Sequence, residues 1–530
     1  MSMRVCKTLL ASGALLLASA GCTDLTVEPK STVTSANIFS DPASYKAFLA
    51  KLYAGLQATG QVGPYGNGDI QSITDEGFSG YLRAYWQMQE LTTDEAIIGW
   101  GDAPLQELNT QLWSPSNDFV KSMYARIFFQ VSLANEFLRQ TSTGKLAERG
   151  VTGQLATDVA QYRAEARFLR AMSYYHGLDL YGNIPLVDEN FAIGATPPPQ
   201  ASRAQIFAFV ESELNDIRTE LPIAGAGQYG RADQGAVDML LATLYLNAGV
   251  YTGGERASDA RVAAERVINS DGYQLDPVFQ DMFLADNNTS PEIIFSIPSD
   301  GLRQQSYGGM TTIIHASVGG QMNATRDFGL NGGWWGIRTR PEYVALFGGA
   351  NTADDRSKVL FTPGQSLSIG NVGSFNDGYG APKYRNITST GAPGSHQEFV
   401  DTDFPMFRLG EAYLIAAEAI LRNGGGTRAQ ALTYVNTLRQ RAYGDASGNI
   451  TDAQLTLDFI RDERGRELFW EAHRRTDLIR FNRFTANGIW QWKGGTAAGR
   501  VTETFRDLFP LPSSELLANP NLTQNTGYGS

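Results

Sequence analysis

Three times along this chain a Ser or Thr stands three residues before a Gln at the head of an apolar stripe: Ser202 and Gln205, Thr427 and Gln430, Thr451 and Gln454. This is the capping-box signature, in which hydroxyl and amide satisfy helix N–H groups reciprocally. Asp41-Pro42 is a fourth start signal, an N-cap followed by Pro at the first helical position. Behind Asp41, apolar residues recur three and four apart (Tyr45, Phe48, Leu49, Leu52, Tyr53, Leu56), and behind Ser202 so do Ile206, Val210, Leu214 and Ile217. The same spacing marks 123–138, 162–181, 236–250 and 260–268, returns over 407–421 and on to about 441, and runs from Thr451 to about 481. Strands would need alternation instead, so this patterning confines the chain to a mostly helical fold.

The helices come in pairs at roughly 35–45-residue intervals, a period suited to a helical-hairpin scaffold of the tetratricopeptide kind. The expected fold class is therefore all-α, for the most part, with helical repeats over 36–60, 119–270 and 405–482. Between them, 60–118 and 272–404 are rich in Gly, Asn, Ser, Thr and Pro, with short apolar runs such as Ile293-Ile294-Phe295 and 311–314. These read as loop-rich excursions carrying a few strands, and long loops within a compact body are usually functional.

The N-terminus reads as an address. Arg4 and Lys7 precede an apolar run over 9–20, too short to span a bilayer, which ends Leu17-Ala18-Ser19-Ala20-Gly21-Cys22. Small residues directly before a Cys suit a lipoprotein signal peptidase, although Ser19 occupies a position where Leu is usual. The expectation is a signal peptide over 1–21, removed to leave Cys22 as an acylated first residue, and several acyl chains anchor almost irreversibly. Cys6 and Cys22 are the only cysteines, so the remainder forms no internal disulfide and no Cys-based metal site. A formal charge of −12 over 530 residues argues against nucleic acid as a partner.

Motifs for catalysis fail on inspection. Gly225-Ala226-Gly227-Gln228-Tyr229-Gly230 matches the dinucleotide fingerprint literally, but a helix rather than a strand precedes it, so it reads as a turn between helices. The four histidines (His176, His315, His396, His473) have no metal-ligand spacing, and neither a nucleophile elbow nor a phosphate-binding loop is present. Glu463, Glu467 and Glu471 recur every four residues, but Arg464, Arg466, Arg474 and Arg475 interleave with them, which indicates an ion-paired helix face. No catalytic residue, metal or cofactor is expected.

Aromatic loops carry a different chemistry. Sugar rings expose C–H faces that a flat indole can cover, while neighbouring Asp or Arg reads the hydroxyls. Trp100-Gly101-Asp102 and Trp334-Trp335-Gly336-Ile337-Arg338 have this make-up, making Trp100, Asp102, Trp334, Trp335 and Arg338 the candidate ligand contacts. The competing reading is that these tryptophans plug the core beneath a long loop.

Several stretches, in order along the chain, carry a family resemblance. They are Cys22-Thr23-Asp24-Leu25 with Pro29 and Phe39; Ala164-Glu165-Ala166-Arg167-Phe168-Leu169-Arg170-Ala171 running on to Leu180-Tyr181-Gly182-Asn183-Ile184-Pro185; Pro405-Met406-Phe407-Arg408-Leu409-Gly410-Glu411-Ala412; residues 461–480; and the end, Phe509-Pro510-Leu511-Pro512 to Asn525-Thr526-Gly527-Tyr528. With these motifs the chain resembles the SusD/RagB family of outer-membrane nutrient-binding lipoproteins, and the resemblance covers essentially all of 22–530. It implies four tetratricopeptide-like helix pairs plus a loop-rich ligand-binding part, on the outer membrane and facing the exterior. It further implies a lid over a TonB-dependent transporter of the SusC/RagA type, which receives a captured glycan or, in some members, a peptide, without catalysis. A helical-repeat adaptor binding only protein, and a glycosidase with two facing carboxylates, are the readings from other classes.

Overall fold

The computed structural model describes residues 38–529, apart from 65–67, 71–72, 74, 193 and 195. The signal peptide and Cys22 lie outside the described residues. The described residues divide into two units, one ending at Ser44 and the other beginning at Tyr45. In the first, Asp41 Oδ1 accepts the Ala43 N–H at 2.9 Å, as an N-cap should. Helix α1 (Ala43–Ala54) starts there.

The second unit carries the principal helices α2 (Tyr81–Glu90), α3 (Ala103–Thr110), α4 (Asp118–Gln140), α5 (Gly153–Tyr181), α6 (Arg203–Ile217), α7 (Gln234–Leu246), α8 (Ala257–Ile268), α9 (Met310–Ala316), α10 (Leu409–Leu421), α11 (Arg428–Tyr443), α12 (Leu457–Glu467) and α13 (Arg474–Arg480). They pack in succession, α4 on α5, α5 on α6, α7 on α8, α8 on α10 and α10 on α11. This helical-hairpin order is the fold class expected from the period. No helix of the described residues is long and apolar enough to cross a membrane.

Local chemistry accounts for the boundaries. The Asn117 side chain caps α4 by accepting from the N–H groups of Phe119 and Val120. Ser202 and Gln205 form the reciprocal box that opens α6. Helix α5 stops at Gly182, where φ is +75° and a Cβ would lie 2.9 Å from Leu508 Cδ1, so only glycine suits the position. The fingerprint-like segment 225–230 is indeed a turn between α6 and α7, with Gly225 and Gly230 both at φ +76°.

Three short antiparallel ladders occur among the described residues: β1 (Ile97–Ile98) with β5 (Ile337–Arg338) joins the two excursions, β2 (Ile184–Pro185) with β3 (Gln200–Ala201) lies within the helical segment, and β4 (Ile293–Ile297) with β6 (Phe404–Arg408) ties the second excursion to the strand that leads into α10.

Three expectations need correction. Segment 60–118, read as loop-rich, contains α2 and α3, and all ten residues of α2 are buried. The run 311–314, read among the short apolar runs of a loop with a few strands, lies within α9, buried from Met310 to Ala316. The last long helix, read as continuous from Thr451 to about 481, is broken. Thr451 and Gln454 box only a short 3₁₀ turn, Thr456 caps α12, and the chain unwinds before α13.

The break is made by tertiary partners. Trp470 and Ala472 adopt left-handed φ of +60° and +64°, costly for residues with a Cβ. Glu95 Oε2 accepts the Trp470 N–H at 3.3 Å and Glu90 Oε1 accepts that of Ala472 at 2.7 Å. The Trp470 carbonyl takes the Trp86 indole N–H and the Tyr384 hydroxyl, both at 3.0 Å.

Glu90 and Glu95 are both buried carboxyls. Burial, then the neighbouring Glu95, push Glu90 well above the ordinary carboxylate range; burial pushes Glu95 up to about 8 against the pull of Arg474. A carboxyl raised in the fold keeps its proton there while the unfolded chain has lost it. Stability should therefore fall as pH climbs from the ordinary carboxylate range to about 8, by on the order of 1 kcal/mol per pH unit. Glu90→Gln keeps the acceptor for Ala472 and removes one charge, so urea unfolding of this variant from pH 5 to 8 should show a shallower decline. A decline as steep as that of the unaltered protein would refute the assignment.

Candidate functional site: an aromatic platform across a two-residue ladder

The β1–β5 ladder joins the two tryptophan segments that sequence reading singled out separately. Ile97 pairs with Arg338 and Ile98 with Ile337. The Gly99 N–H continues the ladder to the Gly336 carbonyl at 2.9 Å, and the Trp100 indole N–H donates to the Trp334 carbonyl at 2.9 Å. The Trp100 and Trp334 rings then lie 6.4 Å apart, centre to centre. Gly336 fits only because it lacks a side chain: a Cβ there would lie 2.7 Å from the Trp100 ring.

Trp334 stacks on His315 of α9 at 4.6 Å with planes 23° apart, and Tyr307 lies 6.1 Å away. His315 is fixed between two carbonyls, with Nδ1 at 2.7 Å from Gly332 O and Nε2 at 2.9 Å from Glu398 O. Burial lowers its pKa, and the two carbonyls oppose that shift. Tyr307 is anchored by donating its hydroxyl to Glu398 Oε1 at 2.6 Å. Trp335 faces outward, 53% exposed, with its backbone at φ +54° and its ring 5.9 Å from Phe375.

Exposure separates binding candidates from core. Trp86, Trp113, Trp470 and Trp490 are buried to 2% exposure or less, as the core-plug reading requires, whereas Trp100 and Trp334 are half-buried and Trp335 is open. Asp102 is exposed at the head of α3, and its side chain makes no cap bond there. Below it, burial lowers Arg83 to about 10 against the pull of Asp75, Asp102 and Glu76, and its guanidinium lies 4.7 Å above the Phe78 ring.

Arg338, expected as a direct ligand contact, is placed differently. It is fully buried, and its guanidinium donates to the carbonyls of Asp377 at 2.9 Å, Gly336 at 2.9 Å and Val372 at 2.7 Å. It fastens the ladder to the loop that carries Phe375, so its role is to hold the platform. Its strand neighbours Ile97 and Ile98 are equally buried, which the sequence alone does not disclose.

Tyr307, His315 and Phe375 were not found from sequence. Each is one aromatic residue in a run without periodicity, and only the packing of 301–307, α9 and 372–377 brings them to the tryptophans. Among the described residues, no group of His, Cys, Asp and Glu is arranged to hold a metal ion.

Comparison with known proteins places this geometry in context. The sequence model of the SusD family matches residues 357–528. The starch-binding protein SusD of Bacteroides thetaiotaomicron is 31% identical, with all of both chains covered. The chain belongs to the SusD family. A SusD-like protein of Formosa agariphila, P2, is 26% identical over 97% of this chain and 98% of its own. Among solved structures, surface glycan-binding protein A of B. thetaiotaomicron, in complex with laminarihexaose, superposes with a TM-score of 0.70. It has 21% identity, with 91% of this chain and 99% of the other covered. A SusD superfamily protein of Bacteroides vulgatus gives 0.71 at 19% identity, covering 92% and 99%. At these identities the solved structures speak for the fold, which this SusD-family chain shares along nearly its whole length.

Proposed function

We propose that this protein is a cell-surface nutrient-binding lipoprotein that captures an oligosaccharide and passes it to a partner TonB-dependent outer-membrane transporter. The observation that carries the reading is the joining of Trp100 to Trp334 and Trp335 across one ladder, with Asp102 exposed nearby. Two indoles 6.4 Å apart, with an exposed carboxylate two residues along from Trp100, have the chemistry to stack on sugar faces and accept from hydroxyls. Family membership and full-length similarity to a protein named as starch-binding support the glycan class. In this reading residues 1–21 are the signal peptide, Cys22 carries the lipid that holds the protein to the outer membrane facing the exterior, and 22–530 is one SusD-like domain. The reading contains no catalytic step: Glu463, Glu467 and Glu471 are each engaged by arginine.

Calorimetric titration of the purified protein with panels of neutral oligosaccharides and of peptides tests the ligand class. Heat of binding with one oligosaccharide class is expected. Binding to peptides alone would replace glycan by peptide, and co-purification of the transporter from outer membranes tests the partner. Because Trp335 is open to solvent, Trp335→Ala should weaken glycan binding by about 1 kcal/mol and leave the melting temperature unchanged. A drop in melting temperature at unaltered affinity would make the residue structural.

A further inference from the structure

A cavity of about 610 Å³, within the usual range for ligand sites, opens between the 298–304 turn and the 395–403 loop. None of the platform tryptophans lines it. Its walls are cross-braced by carboxylates. Asp403 Oδ1 accepts the Ser299 N–H at 2.7 Å and its Oδ2 accepts the Tyr229 hydroxyl at 2.7 Å. Asp401 Oδ1 accepts the Gly301 N–H at 2.8 Å and the Ser395 hydroxyl at 2.7 Å. Asp300 Oδ1 accepts the N–H groups of Leu302 and Arg303, both at 2.9 Å. The cavity is thus preformed, and a ligand need not order it.

Three observations define what it would hold. The Tyr229 ring is 40% exposed, and its hydroxyl bond to Asp403 sets its orientation, giving a fixed flat surface at the cavity. Ser299 Oγ and Gln304 Oε1 are buried atoms with no hydrogen-bond partner among the described residues, and both residues line the cavity. Buried polar atoms left unpaired are costly, so a hydroxyl-bearing occupant toward which these two side chains turn would satisfy groups the fold leaves open. Asp300, Asp401 and Asp403 face a single guanidinium, that of Arg303, which already pairs with Asp300. That balance disfavours anions, and the polar atoms disfavour a purely apolar guest.

The cavity also shares its framework with the platform. The turn that begins at Ser299 leads to Tyr307, and the 395–403 loop includes Glu398, which takes the Tyr307 hydroxyl and presents its carbonyl to His315.

We propose that this cavity is a second carbohydrate subsite, taking neutral sugar residues through the Tyr229 ring, Ser299 and Gln304, apart from the tryptophan platform. The proposal rests on the reading that the protein captures oligosaccharides. It is tested on the purified protein with laminarihexaose and maltohexaose as probes, by calorimetry and, for weak binding, saturation-transfer NMR. In a Trp334→Ala background, residual hexaose binding should persist. Adding Tyr229→Ala or Gln304→Ala should weaken it about fivefold or more, on the scale of a lost ring or hydrogen-bond contact. The Gln304 amide oxygen has no protein partner, so its removal should leave the melting temperature unchanged and keep the test valid if Tyr229→Ala misfolds. An oligogalacturonate should not compete. If Trp334→Ala abolishes all binding, or if neither cavity substitution alters the residual binding, the subsite is refuted while glycan capture stands. If the unaltered protein binds neither these hexaoses nor any other neutral glycan, both readings fall.

Discussion

Arg408→Ala should lower the free energy of unfolding by about 3–5 kcal/mol, the scale expected when one partner is removed from a buried ion pair. Arg408 lies at the end of β6 with its side chain 1% exposed and three carboxylates around it. Its Nε donates to Glu471 at 2.6 Å, and its Nη1 donates to Glu292 at 2.8 Å and Glu467 at 2.7 Å. Its Nη2 donates to the Glu467 carbonyl at 2.6 Å and to Glu471 at 2.9 Å. Arg356 and Arg441 also engage Glu467, and Lys383 engages Glu471. Burial alone would raise the Glu467 carboxyl, but Arg441, Arg408 and Arg356 outweigh it and hold the group well below its usual range. Removing Arg408 leaves negative charge in a dry interior where water cannot replace the guanidinium. Arg408→Lys should rescue little, because an ammonium cannot reproduce a fork that reaches three carboxylates. Loss of the exposed Lys145–Glu148 pair should leave stability nearly unchanged. Urea unfolding of the three variants decides the matter: equal midpoints for Arg408→Ala and the unaltered protein would show that the network does not hold β6 and α12 together.

Trp334→Ala should weaken oligosaccharide binding by about 1–2 kcal/mol, roughly 5- to 30-fold in Kd. The ring sits between His315, Tyr307 and Trp100, at the middle of the platform. What holds Trp100 in place is the backbone carbonyl of residue 334, which alanine retains. The substitution therefore removes one ring without releasing the other. Trp113→Ala is the contrasting case: its ring is 2% exposed and packs 4.5 Å from Phe509, so it should cost about 3–5 kcal/mol of stability instead. Calorimetry and thermal melts on both variants separate the two roles. A Trp334→Ala protein that melts early yet binds sugar normally would place Trp334 in the core.

The scaffold was legible in the sequence because helices announce themselves locally. Caps such as Ser202 and Asp41, and stripes such as Ile206-Val210-Leu214, depend only on neighbours within a few residues. Helix α2 escaped because it is only ten residues long and directly follows a Gly-rich stretch that reads as loop. The break at 468–473 escaped because its cause, the acceptance of the Trp470 and Ala472 N–H groups by Glu95 and Glu90, lies nearly four hundred residues away in sequence. The platform was half legible. Loop tryptophans stood out by composition, but their pairing, the supporting His315 and Tyr307, and the inward turn of Arg338 depend on a ladder that no local pattern encodes.

That ladder carries a consequence for the life of the chain. Ile97 and Arg338 are separated by about 240 residues, so their pairing closes a very long loop through only two residues on each side. Contacts of such high sequence separation form late, once the intervening helices have already condensed. The ability to hold sugar would therefore be among the last properties acquired as the protein matures. A partly folded molecule would have its helical scaffold and still be unable to bind. Ligand retention is thus a stringent assay of complete folding, more demanding than helical content, which α4 to α8 can establish without the two halves of the platform having met.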